Sequence, residues 1–196
     1  MGEVSKLVCR ECNKEYTPTL RHICDECFGP LDTVYDYDRI ELTPNSFSGR
    51  VKSLWRYIEL LPLNDPGKAV DLGAGFTPLQ KSIGLGERLG LKNLFIKNDS
   101  VNPSFSFKDR PATVAVSKSL EFNLNAVGCP STGNLAAATA AHAARAQLPC
   151  YIFVPSDIEP NKIVQASAYG AQVVAVKGTY DDANRMLTQA ADMYKI

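Results

Sequence analysis

The sequence predicts an α/β fold, an open parallel sheet with helices on both faces, preceded by a small cysteine-rich module. After residue 76, short and nearly continuous apolar runs alternate with longer helical stretches. This alternation is typical of strands that are buried on both faces and joined by right-handed crossovers. Before residue 39, four of the six cysteines lie in a stretch with little that could form a core.

The predicted elements follow one another in a regular order. The predicted strands are Asn93–Lys97, Ala126–Cys129, Cys150–Pro155 and Ala171–Val176, and the predicted helices cover about 106–122, 134–147, 160–169 and 179–194. A further strand is expected directly after the last helix, where the sequence stops at Ile196. We therefore expect a fragment of a longer chain.

Composition and charge narrow the function classes. Lys plus Arg and Asp plus Glu both number 21, so the net charge is zero. This balance offers no basic surface for nucleic acid, and a small-molecule partner is the better expectation. The first residues lack the apolar core of a signal peptide, and no stretch approaches the ~18 apolar residues of a membrane helix. We expect a cytoplasmic protein with reduced cysteines and no membrane partner.

The cysteines form two knuckles with metal-ligand spacing. Cys9-x2-Cys12 and Cys24-x2-Cys27 are separated by eleven residues. Two such turns supply the four thiolates of a closed, structural zinc site without an open position for catalysis. Four reduced cysteines without metal remain an alternative, as does His22 in place of one thiolate. Cys129 and Cys150 lie in apolar runs and are predicted to be small buried hydrophobes.

One lysine stands at the start of a predicted helix. The segment 102–110 follows a strand, and Ser104 and Ser106 are good helix caps, while Pro111 fits only a first turn. Lys108 then lies in the first turn, where the helix dipole disfavours a positive charge and so favours a nucleophilic amine for a Schiff base. The alternative is an ordinary solvated lysine.

A second loop, Pro130–Asn134, joins a buried strand to an alanine-rich helix. Unpaired amides and the helix dipole converge in such a loop and bind anions. The alternative is an ordinary helix cap made by Ser131 or Thr132. His142, within the helix, is interpreted as a packed or surface histidine rather than a catalyst. The glycines between 73 and 90 lack the spacing of a dinucleotide fingerprint.

These motifs resemble a known family. Asn-Pro-x-x-Ser-Phe-Lys-Asp-Arg at 102–110, Ser-Thr-Gly-Asn at 131–134 and Thr-Pro-Leu at 77–79 are similar to those of the fold-type II pyridoxal-phosphate enzymes, and most closely to the threonine synthases. The cysteine module and the run 154–162 resemble the threonine synthases that carry an N-terminal zinc ribbon. The resemblance covers essentially the whole chain.

The resemblance implies a role for each motif residue. Lys108 would form the Schiff base with pyridoxal phosphate, Asn134 would bind the cofactor's 3′-oxygen and Phe107 would pack near its ring. Ser131 and Thr132 would face the substrate carboxylate, and Cys9, Cys12, Cys24 and Cys27 would hold structural zinc. The substrate would be O-phosphohomoserine, converted with water to threonine and phosphate by a pyridoxal-phosphate-dependent lyase. The family's glycine-rich phosphate loop is absent from this chain, so we expect weak cofactor binding by the chain alone.

The resemblance also implies a division of the chain. Residues 1–38 would form the zinc ribbon, 39–110 the first part of the large domain and 111–196 a small α/β domain that lacks its C-terminal side. Dimers are frequent in this superfamily, which makes a homodimer one expectation. Two alternatives stay open: a related enzyme such as cysteate synthase or a serine/threonine dehydratase, and a non-catalytic zinc-ribbon binding module.

Overall fold

The computed structural model describes residues 4–21 and 23–194. Its strands are β1 (Val4–Cys9), β2 (Glu15–Tyr16), β3 (Leu31–Tyr35), β4 (Leu79–Lys81), β5 (Phe95–Lys97), β6 (Val127–Cys129), β7 (Cys150–Pro155) and β8 (Gln172–Val176). Its α-helices are α1 (Ile83–Leu89), α2 (Asp109–Glu121), α3 (Asn134–Arg145), α4 (Val164–Ala168) and α5 (Tyr180–Tyr194). Short 3-10 turns fill much of the stretch between β3 and β4. Within the described ranges, no helix is both long and apolar enough to cross a bilayer.

The main sheet is parallel, as the sequence predicts. Its order is β6-β7-β8, and Ile152 in the central strand pairs with Cys129 on one side and Val173 on the other. Alternate residues of β7 face opposite sides, so Ile152 belongs to the core formed with α2, α3 and α4, while Phe153 packs with residues of α5. Helices therefore cover both faces, and the predicted α/β class is confirmed.

One predicted strand lies elsewhere. We expected Asn93–Lys97 to join the parallel sheet, and this was wrong. β5 instead pairs antiparallel with β4, with Leu79 opposite Lys97. All residues of these two short strands are exposed. The apolar run at 93–97 therefore does not reflect burial on both faces, which was the reason for the prediction.

The cysteine module is a three-stranded antiparallel sheet in the order β2-β1-β3. β1 ends at Cys9, so the sheet positions the first cysteine of the first knuckle. Cys9 and Cys24 are fully buried. An isolated bridge between Ile23 and Pro30 closes the second knuckle. The strands β1 and β2 therefore flank the first cysteine pair, and the Ile23–Pro30 bridge flanks the second.

Helix α2 is fastened along one face to the segment that precedes β4. Thr113 accepts a hydrogen bond from the indole Nε1 of Trp55 at 3.1 Å and donates to the carbonyl of Val70. Ser117, one turn later, accepts from the amide of Val70 at 2.9 Å. Glu121, a turn further, accepts from the amides at 64 and 65 at 2.8 and 2.9 Å. This spacing of four residues holds one face of α2 in place, and the helix begins directly after Lys108.

Candidate active site and metal centre

Lys108 is the N-cap residue of α2. Its backbone amide donates to Ser106 Oγ at 3.2 Å, and its carbonyl accepts from the amide of Ala112. The side chain is half-buried, and its Nζ lies 4.7 Å from the ring centroid of Phe107. Within the described ranges, no carboxylate forms an ion pair with this amine. The start of α2 therefore fixes the backbone of Lys108, and the side-chain amine beside Phe107 has no acidic partner among the described residues.

The residue after the lysine is a buried acid. Asp109 Oδ2 accepts from the amide and the hydroxyl of Ser104 at 2.9 and 2.7 Å, and Oδ1 lies 3.1 Å from Nε2 of His142 in α3. Neither Asp109 nor His142 is exposed at all. Burial opposes ionisation of Asp109, but the hydrogen bonds from His142 and Ser104 outweigh it and keep the pKa of this carboxyl below its ordinary value.

Two further contacts hold the lysine loop and could not be predicted from the motif. Asn102 is buried, and its Oδ1 accepts from the amide of Gly75 at 2.9 Å. Gly75 has φ +80°, and a Cβ there would lie 3.0 Å from Arg110, so this close approach requires glycine. Arg110 in turn bonds to Asp99. The segment 99–110 is thus fastened at several points to residues earlier in the chain.

The second predicted loop, 130–134, leads from β6 into α3. Ser131 Oγ accepts from the amide of Gly133 at 3.3 Å, but Gly133 is the N-cap of α3 and no described side chain caps this helix, so the alternative of an ordinary cap by Ser131 or Thr132 is not observed. Asn134 is the first residue of α3 and is exposed. The hydroxyl of Tyr180 donates to the carbonyl of Pro130 at 2.6 Å and ties the loop to α5. The first amides of α3 therefore lie at the carboxyl end of a buried parallel strand, where ligands collect.

The two loops meet through their helices. α2 and α3 pack against each other, and the Asp109–His142 contact joins the start of α2 to α3. His142 lies eight residues after Asn134, about 12 Å along the axis at the usual helical rise. In the described part of the chain, no hydrogen bond links Lys108 directly to Ser131, Thr132 or Asn134. The structure thus places both predicted loops on one helix pair without a direct bond between them.

These residues fit pyridoxal phosphate in their chemistry. The half-buried Lys108 amine suits an aldehyde, and the exposed amide of Asn134 suits a ring oxygen. The hydroxyls at 131 and 132 and the first amides of α3 suit a carboxylate. The aromatic ring of Phe107 is about half exposed beside the amine and can pack against a planar ring.

The four predicted cysteines converge on one point. All four Sγ atoms lie within 4.8 Å of one another, with Cys9 and Cys27 at 3.4 Å and Cys12 and Cys24 at 3.6 Å. Zn–S bonds of about 2.3 Å set tetrahedral sulfur ligands about 3.8 Å apart, so the cluster fits zinc. The alternative ligand, His22, lies outside the described residues.

The backbone around the cluster is closely fitted. The amide of Glu26 donates to Cys24 Sγ at 3.4 Å, the kind of support that thiolates in such knuckles receive. A Cβ at Gly29 would lie 2.7 Å from Glu11 Cγ and 3.0 Å from Cys9 Sγ. Close packing against the first knuckle therefore requires glycine at this position. Phe28 takes the left-handed conformation instead, with φ 58°.

Comparison with known proteins gives consistent matches. Residues 70–196 match the family described as pyridoxal-phosphate dependent enzyme. The chain is 41% identical to a threonine synthase of Methanocaldococcus jannaschii over 187 residues, which cover 93% of this chain and 46% of that protein. It is 38% identical to a threonine synthase of Methanosarcina acetivorans over 192 residues, covering 97% and 47%. The chain therefore spans about half the length of these relatives.

A solved structure agrees with the fold. The processed form of threonine deaminase isoform 2 from Solanum lycopersicum superposes with a TM-score of 0.54 and 28% sequence identity. The superposition covers 61% of this chain and 33% of that one. The threonine synthase of Methanosarcina acetivorans matches nearly the whole chain, including the cysteine module, whereas the deaminase structure matches less of it.

Proposed function

The chain belongs to the family of pyridoxal-phosphate dependent enzymes, and from this premise we propose that it is the N-terminal part of a threonine synthase. The reaction is the conversion of O-phosphohomoserine and water to threonine and phosphate. The observation that carries the proposal is the half-buried Lys108 amine at the start of α2, next to an aromatic ring and without an acidic partner in the described ranges. The match of two threonine synthases over 93% and 97% of the chain supports the choice within the family.

Each residue has a defined task in this proposal. When bound, pyridoxal phosphate supplies an electron sink for negative charge at substrate carbons. Lys108 Nζ would hold the cofactor and would move protons between Cα, Cβ and Cγ of the substrate. Asn134 would donate to the cofactor's ring oxygen, and Phe107 would pack beside the ring. Ser131 and Thr132, with the amides at the start of α3, bind the substrate carboxylate.

Borohydride reduction in the presence of pyridoxal phosphate tests the lysine. In the complete protein, peptide mapping should find the label on Lys108. Lys108→Ala should lose it, whereas Lys162→Ala, at a lysine about half exposed on the surface, should keep it. The 196-residue chain alone should be labelled less than the complete protein. A label on other lysines but not on Lys108 would refute the proposed role.

A second enzyme function has one observation in its favour, the superposition with threonine deaminase. The same lysine would serve a serine/threonine dehydratase or a cysteate synthase. Turnover of O-phosphohomoserine, threonine and O-phosphoserine by the complete protein separates the three. Threonine synthase requires turnover of O-phosphohomoserine with release of threonine and phosphate. Preferred turnover of either other substrate would move the assignment to the corresponding relative.

We further propose that Cys9, Cys12, Cys24 and Cys27 hold one structural zinc ion. The mutual distances of their Sγ atoms support this. Four protein ligands leave no open position, so the ion would supply folding free energy to a small module rather than catalysis. Metal analysis of protein purified without added metal should find about one zinc per chain, on the basis of one tetrahedral site. Cys24→Ser should reduce that content.

The non-catalytic alternative, a ribbon that binds nucleic acid, has less support. Basic side chains of the module are paired with acids, Arg10 with Asp32 at 2.6 Å and Lys14 with Asp25 and Glu26 at 3.0 and 2.8 Å. Phosphate contacts require cations with spare charge. An electrophoretic shift with oligonucleotides at low salt would revive this alternative.

The remaining expectations are part of the same proposal. The division into residues 1–38, 39–110 and 111–196, a homodimer and a cytoplasmic location stay predictions. Size-exclusion chromatography with light scattering on the complete protein tests the dimer. Fractionation of cells that express the complete protein tests the location.

A further inference from the structure

The peptide that carries Lys108 is anchored in the core only one residue later. Asp109 is completely buried, and its carboxylate has three donors, the amide and hydroxyl of Ser104 and His142 Nε2. Ser104 belongs to the same loop, so two of these bonds only shape the loop. In the described part of the chain, His142 is the one partner of Asp109 that comes from another element. His142 therefore anchors Asp109 to the rest of the protein, at a point separate from the contacts that Asn102 and Arg110 make with earlier segments.

The loop before Lys108 does not hold its shape by local preference. Phe105 has φ 63°, a left-handed conformation that is unfavourable for a bulky residue, and its side chain is three-quarters exposed. Such a conformation persists only where surrounding contacts impose it. The loop also receives a weaker bond from Gln165 of α4, whose Nε2 lies 3.4 Å from the carbonyl of Ser104. Loss of the stronger contact at Asp109 would let the loop relax and shift the lysine.

The histidine acts through one ring nitrogen. Nε2 lies 3.1 Å from Asp109 Oδ1, while Nδ1 is buried and has no hydrogen-bond partner in the described part of the chain. A side chain that places a donor where Nε2 stands can therefore replace it. Glutamine reaches that position with its amide nitrogen, whereas the amide of asparagine ends near the position of Nδ1.

We propose that His142 is a positioning residue for the cofactor lysine: by donating from Nε2 to buried Asp109 it fixes the first turn of α2 and hence the Lys108 amine. This inference rests on the proposed function, in which Lys108 holds pyridoxal phosphate. Small displacements of a reacting group have large effects on its reactivity, so the buried contact of Asp109 can control the amine of the adjacent Lys108. The histidine itself does not touch the cofactor in this proposal.

The test compares His142→Gln with His142→Asn in the complete protein, with Ile152→Val as a control for general loss of core packing. Three quantities are measured: total pyridoxal phosphate retained, the fraction of it that borohydride fixes on Lys108, and hydrogen exchange of residues 104–110 without cofactor. His142→Asn should lower the fixed fraction about tenfold, the factor expected from one hydrogen bond to a charged group. It should also raise exchange at 104–110.

His142→Gln should keep the fixed fraction close to that of the wild type. Ile152→Val should lower the melting temperature without changing the fixed fraction. Equal behaviour of the glutamine and asparagine variants would overturn the proposal. So would a fall in the fixed fraction for Ile152→Val as large as that for His142→Asn. If the wild-type protein itself carries no label on Lys108, the proposed function fails and this inference fails with it, a result that needs no variant to recognise.

Discussion

Arg110 holds Asp99 at two points: its Nη2 lies 2.9 Å from Oδ1, and its Nε lies 3.3 Å from Oδ2. Arg110 also donates to the hydroxyl of Thr77, which itself donates to Asp99 at 2.6 Å. The bond from Arg110, followed by that from Thr77, keeps the pKa of the Asp99 carboxyl below its usual value. This triangle connects the segment before β4, the turn after β5 and the first turn of α2. It therefore ties the end of the lysine loop to two earlier segments of the chain.

Arg110→Lys should destabilise the fold. Lysine is a point charge that cannot reproduce two parallel bonds to one carboxylate. Both side chains are about a third exposed, so the expected loss in unfolding free energy is only about 1 kcal/mol. Urea unfolding measures it. Arg185→Lys is the matched control, because Arg185 pairs with Asp182 on the exposed surface of α5. Equal losses for the two variants would contradict the prediction.

How far the sequence predicts this structure depends on how local each signal is. The strands at 127–129, 150–155 and 172–176 were predictable, because continuous apolar runs are a local consequence of burial on both faces. The partner of β5 was not. β4 has three residues, all exposed, which is too short to show a period of two. Nothing in the sequence at 79–81 distinguishes a strand from a loop.

In the candidate site, too, local features were predictable from the sequence and long-range contacts were not. The lysine loop and the helix-start loop could be located from polar residues typical of helix starts and from a first-turn proline, which act within a few residues. The predicted caps themselves were wrong, because the N-caps are Lys108 and Gly133 and neither makes a side-chain cap bond. The contact between Asp109 and His142 spans 33 residues and arises only when α2 packs on α3. One signal was present: a histidine within an alanine-rich helix needs a polar partner if it is packed, as His142 is. Its identity depends on helix packing, which the motif does not encode.

Asp109 should make stability depend on pH at the acid end. Its pKa in the folded protein is below the ordinary value, so its contribution is present above the unfolded pKa of about 3.9 and is lost as pH falls through the folded value. The difference in unfolding free energy between wild type and Asp109→Asn should therefore be largest near neutral pH and shrink below about pH 4. Chemical denaturation at several pH values measures this difference.

Ala140→Gly is the control for the acid-pH measurement. It weakens buried helix α3 without changing a titratable group, by about 1 kcal/mol. Its loss relative to wild type should stay the same across the pH series. A difference for Asp109→Asn that is equally constant from neutral pH to pH 3 would contradict the account of the buried carboxylate.

Gly29→Ala should weaken metal binding by the cysteine module. The new Cβ would lie 2.7 Å from Glu11 Cγ and 3.0 Å from Cys9 Sγ, so the first knuckle must move. Displacement of groups that support metal ligands lowers affinity by about 10- to 100-fold, and we expect the lower end. Competition with a chromophoric chelator measures the affinity. Gly84→Ala is the matched control, since a Cβ there meets no described atom within 4 Å. Unchanged metal affinity in both variants would contradict the prediction.

Alkylation should divide the six cysteines into two groups. Burial raises the pKa of the Cys129 thiol to about 11 and that of Cys150 to about 12, so neither forms appreciable thiolate near neutral pH. Cys9, Cys12, Cys24 and Cys27 are held as metal ligands in our proposal, and a chelator should release them. Iodoacetamide with mass mapping at neutral pH should therefore label none of the six in the metal-loaded protein and four after chelation.

Cys129 and Cys150 should react only after denaturation, since α3 and the sheet cover them. Modification of Cys129 or Cys150 before the module cysteines would show that the core around β6 and β7 opens more readily than its packing implies. Immediate labelling of all four module cysteines without chelator would argue against bound metal.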